Sequence, residues 1–278
     1  LGDQDNPFWQ EQILWYRRYL PESPFHAQIF FPEDALDPAA QADLCKTLLR
    51  KGFDALLVNP LDETAVAQAA AASRSRAVVF DLGPMSDLSK YQPLSLCDYQ
   101  EQGKACTQEL LRHARKLRRF CCIGGPQRAR QSRSRVVGAL AALSGFPGVE
   151  KRTVWSDFTR EGGQKAMFHV LEWQPDAVFC ANDLMALGAL DVLHSHGIAV
   201  PVGGADRIPS AEFAVGTGDM TATVGPRGDD VAPGVIHAMD DFLTAGAVSS
   251  GFLAENHVVT RESLRRERRG RRHYTPYP

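Results

Sequence analysis

The sequence contains no uninterrupted apolar run of about 18 residues, the length expected of a membrane-spanning helix. It carries little net charge, because 31 lysines and arginines oppose 33 aspartates and glutamates and leave −2 over 278 residues. A chain so close to neutrality is not expected to bind nucleic acid through its phosphates. No secretory leader is visible at the start. With 44% hydrophobic residues, the composition is that of a globular protein of one large or two smaller domains.

Motifs of common enzyme classes are also missing. GxSxG, HExxH and P-loop patterns do not occur, and the eight histidines are scattered along the chain. These absences argue against a nucleophile elbow, a zinc-peptidase site and a phosphate loop. The cysteines form no CxxC pair and no metal-ligand spacing with histidine. We therefore expect no catalytic residue, no metal and no cofactor.

The six cysteines are expected to be structural. Cys121, Cys122 and Cys180 lie inside apolar runs, which predicts that they behave as small buried hydrophobic residues. Disulfides stay possible, and the sequence does not assign a pairing. So many cysteines also weaken an assignment to an oxidising compartment.

Short apolar runs alternate with amphipathic stretches along most of the chain. The runs predict strands at 55–59, 77–81, 120–125, 152–156, 177–182 and 221–224. Helices are expected around 100–114, 130–144, 160–172, 184–196 and 229–245. Strands that are apolar on both faces and alternate with helices indicate parallel sheets covered on both sides. The number of strands favours an α/β protein with two Rossmann-like lobes over a single sheet.

Polar and aromatic residues follow several of the predicted strands. In open parallel sheets, ligands bind at the carboxyl ends of the strands. We therefore expect a binding site among Asp81, 124–127, 156–158, 182–183 and Asp206.

Several segments resemble the type 1 periplasmic sugar-binding proteins, whose fold the ligand domains of LacI-type regulators share. They are NPFW (6–9), KGFDALLVNPLDETAV (51–66), FCANDLMALGALDVL (179–193) and GDMTATV (218–224). The resemblance implies two lobes joined by a three-stranded hinge, with a ligand in the cleft. It divides the chain into an N-terminal lobe, 1–96 plus 227–255, and a C-terminal lobe, 97–226 plus 256–278.

The same resemblance implies which residues bind the ligand. Asn6 is expected to hydrogen-bond a sugar on which Phe8 and Trp9 stack, although Trp9 packing against the first helix is an equal alternative. Aromatic rings cover the apolar faces of a sugar, while carboxylates, amides and guanidinium groups satisfy its hydroxyls. The predicted set is Gln4, Asn6, Phe8, Trp9, Asp81, Arg133, Phe158, Asn182, Asp183 and Asp206.

The function implied is that of a periplasmic receptor that closes on a small polyhydroxylated ligand. It would present the ligand to a membrane partner, either an ABC permease or a sensor histidine kinase, and act as a monomer without nucleic acid. One alternative is an autoinducer-2-type signal receptor of the LuxP-like branch. Another is the ligand-binding domain of a LacI-type regulator, which would be cytoplasmic. In either frame Asp81 and Asp206 are hydrogen-bond acceptors and not a catalytic acid-base pair.

Two arginine-rich stretches leave alternatives open. Residues 261–273 hold seven arginines and two glutamates, a pattern typical of a solvated helix face; a docking surface and nucleic-acid contact are the other interpretations. Residues 124–135 carry four arginines at a predicted helix start. Helix starts and arginine forks favour anions, so an anionic or borate-bearing ligand is a further hypothesis.

Overall fold

The structure, a computed structural model, confirms the predicted α/β class. It describes residues 5–72, 78–81, 91–93, 97–246 and 254–271, with the backbone alone for 78–81, 91–93 and 268–271. Strands and helices alternate along the chain, and all strand pairs but one are parallel. Within these ranges, no helix has the length and hydrophobicity to cross a bilayer.

Contacts between Cα atoms divide the chain into two compact units. The first unit comprises Leu1–Asp98, Pro126–Arg133 and Pro226–Asn256, and the second comprises Tyr99–Gly125, Ser134–Gly225 and His257–Pro278. The sequence-based lobes differ from this division chiefly at Pro126–Arg133, which they place in the second lobe. The lobes and the hinge between them stay predictions.

The first unit contains a three-stranded parallel sheet. Its order is β1-β2-β3, with β1 at Ala55–Val58, β2 at Val78–Asp81 and β3 at Tyr91–Pro93. The helices that begin in this unit, apart from the first turn of α5 described below, are α1 (Pro7–Tyr19), α2 (Pro38–Arg50), α3 (Glu63–Ala71) and α9 (Gly228–Ala245).

The core of the first unit lies between β1 and the helices α2 and α3. Asp37 caps the start of α2 by accepting a hydrogen bond from the Ala39 N–H, which satisfies one of the free donors of the first turn. Leu49 in α2 and Val66 in α3 are each only 1% exposed and pack with Val58 of β1. Apolar residues spaced three and four apart on these helices therefore face the sheet.

The second unit is built on a six-stranded sheet of order β5-β4-β6-β7-β8-β9. The strands are β4 (Arg119–Gly124), β5 (Glu150–Trp155), β6 (Ala177–Cys180), β7 (Val202–Ala205), β8 (Ala222–Gly225) and β9 (His257–Thr260). Only β9 runs antiparallel, against β8. The helices are α4 (Tyr99–His113), α5 (Arg130–Ala141, whose first turn counts with the first unit), α6 (Arg160–Val170), α7 (Asp183–Ser195), α8 (Pro209–Thr217) and α10 (Arg261–Arg271).

Strands β4 and β6 of the second unit are buried except for the first residue of β4, as their apolar runs predict. Phe120 and Phe179, on the neighbouring strands β4 and β6, are 0% exposed. All six cysteines are buried free thiols, so the prediction for Cys121, Cys122 and Cys180 is confirmed. Burial raises the pKa of the Cys121 thiol to about 12, which keeps it in the unreactive protonated form.

Helices α4 and α5 approach each other so closely that only glycine fits at their contact. A Cβ added to Gly138 in α5 would lie 1.8 Å from the Gln100 carbonyl oxygen, and one added to Gly103 in α4 would lie 1.8 Å from the Arg135 carbonyl oxygen. Both opposing atoms belong to the backbone and cannot rotate away. The contact fixes the position of the helix that carries Arg135.

We predict that Gly138→Ala destabilises the protein by about 1–3 kcal/mol, because the new methyl group forces the two helices apart. The measurement is the free energy of unfolding in urea. Gly145→Ala is the matched control: no atom lies within 4 Å of its added Cβ, and its effect should stay within about 0.5 kcal/mol. Equal effects of the two substitutions would contradict the close helix contact.

Candidate functional site

The second unit gathers polar and aromatic residues at one edge of its sheet. Strands β4 to β8 are parallel to one another, so their carboxyl ends meet at that edge. Phe158 follows β5, Asn182 follows β6 and Asp206 follows β7. The structure therefore brings these three predicted residues to the edge where open parallel sheets bind ligands. We call Phe158, Asn182, Asp206 and their partner Arg135 the strand-end cluster.

Two aromatic rings lie on Gly124, which ends β4, and on Gly125, which follows it. A Cβ added to Gly124 would come within 2.4 Å of the Trp155 ring, and one added to Gly125 within 2.3 Å of the Phe158 ring. The absence of side chains at these glycines is therefore what seats the rings at the sheet edge. Both rings stay partly exposed.

The backbone at this edge is strained. Phe158, Asp206 and Arg207 have φ values of 70°, 114° and 60°, in the region that favours glycine and costs other residues of order 1–3 kcal/mol each. Such strain persists only where the surroundings hold it, and it clusters at functional sites. Of the other non-glycine residues in the described ranges, only Gln174 shares a positive φ. The strain thus marks the ends of β5 and β7 as a candidate site.

Asn182 holds the strained turn in place. Its Nδ2 donates to the Phe158 carbonyl oxygen at 2.8 Å, and its Oδ1 accepts from the Met185 N–H at 3.0 Å as the cap of α7. The side chain is nearly buried, at 2% exposure. An amide has two donors and two acceptor positions, so one N–H and one lone pair stay available for a ligand.

Arg135 is the member of the cluster that sequence reasoning missed. Its guanidinium donates to the Asp206 carboxylate, the Gln102 side-chain oxygen and the Ala181 carbonyl, each at 2.7 Å. It also lies over the Tyr99 ring, 5.3 Å from the centroid. Arg135 and Asp206 are 6% and 9% exposed, so this is a buried ion pair with further hydrogen bonds.

Helical periodicity is the signal that could have identified Arg135. Residues two apart on a helix point to different faces, so Arg133 and Arg135 do not share one. Ser132 lies three residues before Arg135 and Ala139 lies four residues after it, and both are buried. The adjacent Val136, four residues after Ser132, is buried as well. Arg135 lies on that buried stripe.

Arg133 has its partners in the first unit. Its guanidinium donates to the Glu63 carboxylate at 3.0 Å and to the Gln127 carbonyl at 3.2 Å. In the same unit, Arg128 binds the Asp62 carboxylate at 2.9 Å, and Gln131 donates to Asn59 at 3.0 Å. Arg133 is therefore engaged with a carboxylate at the start of α3, and Arg135 is the arginine that binds Asp206.

Asp183 forms buried hydrogen bonds inside the second unit. Its carboxylate accepts from the Thr223 hydroxyl at 2.7 Å and from the Ile208 N–H at 3.0 Å, and it is 0% exposed. These partners tie α7 to β8 and to the start of α8. Its contact with a ligand stays a prediction. The interactions that the structure shows for it are these hydrogen bonds inside the second unit.

Burial raises the pKa of both carboxyl groups in this part of the second unit. For Asp183 the pKa rises well above 3.8, first through loss of hydration and then through the negative charge of Asp206. For Asp206 burial also raises the pKa, and the Arg135 charge opposes that rise. A buried charge needs a partner. Asp206 has one in the Arg135 guanidinium, whereas Asp183 accepts from the Thr223 hydroxyl and the Ile208 N–H, which are uncharged. We infer that Asp183 is the carboxyl group that stays protonated over the wider pH range.

The aromatic loop predicted at the chain start forms the beginning of α1 in the first unit. Asn6 caps the helix, because its Oδ1 accepts from the Phe8 N–H at 3.0 Å. The Phe8 and Trp9 rings pack edge to face with centroids 4.9 Å apart. Trp9 is buried at 8% exposure, so the alternative that it packs the first helix agrees with its position, while Phe8 stays half-buried.

The two other predicted residues of the first unit lie at the limits of the described part. Asp81 ends β2, where its backbone is in register with Val58 and Pro93, and its side chain lies outside the described residues. Gln4 lies outside them altogether. Their roles stay predictions. In the described part of the chain, no cluster of three or more histidine, cysteine or acidic side chains could hold a metal ion.

Comparison with known proteins identifies the family to which the chain belongs. Residues 1–247 match the family model of the periplasmic binding protein domain. The ribose import binding protein RbsB of Bacillus subtilis is 28% identical over 211 residues, which are 74% of this chain and 68% of that protein. The transcriptional repressor CytR of Escherichia coli, of the helix-turn-helix type, is 30% identical over 156 residues, 53% of this chain and 45% of the repressor.

A solved structure shares the fold. The Caulobacter myo-inositol binding protein, bound to myo-inositol, superposes with a TM-score of 0.83. The match covers 97% of this chain and 95% of that one at 21% identity. At this identity the likeness concerns the fold alone.

We predict that Asp183→Asn flattens the pH dependence of stability. Since the folded-state pKa of Asp183 is raised, the folded protein binds the proton more tightly than the unfolded chain, and stability falls as pH rises above about 4. Urea unfolding between pH 4.5 and 7.5 should show the wild type losing stability relative to the variant, by at most about 1.4 kcal/mol per pH unit.

Asp191→Asn is the control of opposite sign. The hydrogen bond from Arg160 lowers the pKa of Asp191, so that carboxylate stabilises the fold above its unfolded-state pKa and the contribution is lost as pH falls. Between pH 4.5 and 7.5 the advantage of the wild type over this variant should therefore stay nearly constant, and it should shrink only below about pH 4. A wild type that loses as much stability with rising pH relative to Asp191→Asn as relative to Asp183→Asn would contradict the assignment of Asp183.

Proposed function

Because the chain belongs to the periplasmic binding protein domain family, we propose that it is a receptor that reversibly binds a small polyhydroxylated molecule. Its relatives by sequence are binding proteins and a repressor, not enzymes. The proposed ligand is a sugar or a cyclic polyol, and it is bound and released without chemical change.

The strand-end cluster is the observation that carries this proposal. Phe158 offers a partly exposed ring to an apolar sugar face, and Asn182 and Asp206 offer an amide and a carboxylate to hydroxyl groups. Arg135 fixes the Asp206 carboxylate through a hydrogen bond of 2.7 Å. Flat rings beside charge-assisted hydrogen-bonding groups suit a molecule with apolar C–H faces and a hydroxyl edge.

Residues of the first unit are also part of the proposed binding site, on the basis of the sequence resemblance. We propose that Asn6, Phe8 and Asp81 also bind the ligand, with Gln4 beside them, as the resemblance implies. The half-buried Phe8 ring supports a contact more than the buried Trp9 ring does. Arg135 replaces Arg133 in the proposed set, because the Arg133 guanidinium is held by Glu63.

We propose an ABC-type import permease as the partner and the outer side of the cytoplasmic membrane as the location. The name of the Bacillus subtilis relative, a ribose import binding protein, supports both. A sensor kinase partner and the autoinducer-2 alternative have no comparable support. The monomeric state likewise stays part of the proposal.

A second candidate is the ligand-binding part of a transcriptional regulator. The similarity to CytR supports it, and so do six cysteines that are all buried free thiols, as is common in a reducing compartment. Cell fractionation of the natural protein separates the two candidates: recovery outside the cytoplasmic membrane supports the import receptor, and recovery in the cytoplasm with operator DNA supports the regulator.

We predict that a thermal-shift screen finds a stabilising neutral ligand. The probes are ribose and other pentoses, hexoses including allose, myo-inositol, sugar acids, sugar phosphates, and autoinducer-2 with and without borate. A ligand present at 100 times its Kd stabilises the folded state by about 2.7 kcal/mol, which raises the melting midpoint by several degrees. Failure of every sugar and polyol to raise the midpoint would remove the proposed function.

We predict that Asp206→Asn weakens binding of the ligand found in that screen more than tenfold. The substitution keeps the volume but removes a charged acceptor, and hydrogen bonds to charged groups contribute about 1.5–3 kcal/mol. Titration calorimetry measures the affinity, and circular dichroism verifies folding. Asp191→Asn, on the surface of the same unit, should bind normally. Equal affinity of the wild type and a folded Asp206→Asn variant would contradict the site.

A further inference from the structure

The second unit carries a dense group of cations at the edge of its sheet opposite the strand-end cluster. The segment RHARKLRR (112–119) joins the end of α4 to β4, and two further cations lie in the first half of the neighbouring strand β5. Both strands begin at this edge, so the cations and the candidate ligand site lie at opposite ends of the strands. The exposed cations, which we call the basic patch, are Arg112, Arg115, Lys116, Arg118, Lys151 and Arg152.

Most of the basic patch has no carboxylate partner. Among the described residues, Arg112 is the one member that forms an ion pair, and its partner is Glu109. The Asp176 carboxylate lies at the same edge, but it accepts from the backbone N–H groups of Arg118 and Arg119, at 2.7 and 2.9 Å. The whole chain carries a net charge of −2, so the excess of positive charge here is local. Such a concentration of cations attracts an anionic surface.

An apolar loop tip lies beside the basic patch. Residues 144–148, with the sequence SGFPG, are all exposed, and Phe146 is 44% exposed. A Cβ added to Gly145 or Gly148 meets no atom within 4 Å, so the tip projects into open space. The Phe146 carbonyl oxygen accepts from the Val149 N–H at 3.1 Å, which closes the turn. The loop therefore presents an aromatic ring outside the core of the unit.

The loop tip and the basic patch belong to one surface. The Glu150 N–H donates to the Arg118 carbonyl oxygen at 2.7 Å, so the chain that leaves the tip runs directly beside the cationic segment. The Arg152 guanidinium lies 4.6 Å from the ring centroid of Trp173, which is itself partly exposed. Cations next to exposed aromatic rings are typical of proteins that lie on anionic bilayers, where the cations attract the headgroups and the rings enter the interface.

We propose that the basic patch and Phe146 bind the surface of an anionic lipid bilayer. The cations contact the phosphates of the headgroups, and the Phe146 ring inserts among them. A bilayer fits this surface better than a nucleic acid does, because nucleic acids are held through many phosphates along a groove or strand, whereas the patch is confined to the starts of two adjacent strands. The proposal goes beyond the proposed function and does not depend on the identity of the ligand.

The first test is flotation with vesicles. The wild-type protein should bind vesicles of phosphatidylglycerol and phosphatidylcholine in equal parts at about 0.1 M sodium chloride. It should leave them at about 1 M, because screening shortens the range of the attraction from about 10 Å to about 3 Å. Vesicles of phosphatidylcholine alone should not bind it. Absence of binding to the anionic vesicles at low salt, or equal binding to both kinds of vesicle, overturns the proposal.

Charge reversal locates the binding surface. The double variant Arg115→Glu and Arg118→Glu should bind the anionic vesicles at least about 25-fold more weakly, since each cation near such a surface strengthens binding about fivefold. The matched control is Arg261→Glu and Arg265→Glu, which changes the net charge equally at two exposed positions of α10 and should keep most of the affinity. Equal loss in the two double variants would mean that net charge alone governs binding and overturns the proposal.

The aromatic contribution is tested without any change in charge. Phe146→Ala should weaken vesicle binding about tenfold, because part of an apolar ring is no longer buried in the interface. Phe213→Ala is the matched control: its ring is 72% exposed on α8 of the same unit, and its removal should leave the affinity unchanged. Equal affinity of the Phe146→Ala variant and the wild type contradicts insertion of the ring.

Two further arms make each result decisive. Circular dichroism verifies the fold of every variant, and Arg115→Gln with Arg118→Gln replaces the charge reversal if that variant does not fold; it should still bind the anionic vesicles more weakly than the wild type. A single-stranded oligonucleotide is offered at the same salt concentrations. Binding of the oligonucleotide through the basic patch, without binding of the vesicles, would assign the surface to nucleic acid and overturn the proposal.

Discussion

The candidate site depends on one buried guanidinium. Arg135 lies on α5, yet its hydrogen bonds reach α4 through Gln102, the end of β6 through Ala181 and the end of β7 through Asp206. Taking such a group out of water costs several kcal/mol, which only good geometry offsets. Three hydrogen bonds at 2.7 Å and an aromatic face supply that geometry, so the positions of the flanking elements and the charge of Asp206 are fixed together.

The glycine contacts are the condition for that pairing. Gly103 and Gly138 let α4 and α5 approach until backbone meets backbone, which brings Gln102 within reach of Arg135. Gly124 and Gly125 similarly leave room for the Trp155 and Phe158 rings. Small residues thus determine where the large and charged ones lie, and the strained φ values of Phe158 and Asp206 show how strongly the surroundings hold them.

Sequence reasoning found the residues that follow directly from strand ends. Asn182 ends an apolar run, and the rule for parallel sheets places it at the sheet edge, while Asp206 was identified through the family resemblance. It missed β7, because Val202–Ala205 contains two glycines and lacks the branched residues typical of strands. It assigned the ligand contact to Arg133 and not to Arg135. A sequence motif locates the arginine-rich segment, but helix packing determines which arginine faces the interior. The spacing of residues in the sequence does not determine which carboxylate each arginine binds, because that depends on the tertiary structure.

The charge balance of the arginine-rich loop bears on the class of ligand. Arg128 is paired with Asp62, Arg133 with Glu63 and Arg135 with Asp206, so three of the four cations behind the anionic-ligand hypothesis already have carboxylate partners. An anion would have to compete with a carboxylate already in place, and at Arg135 it would leave Asp206 buried without its cation. A neutral molecule that donates hydroxyl hydrogens to Asp206 disturbs no pair. The electrostatics of the described residues therefore favour a neutral polyol over an anion.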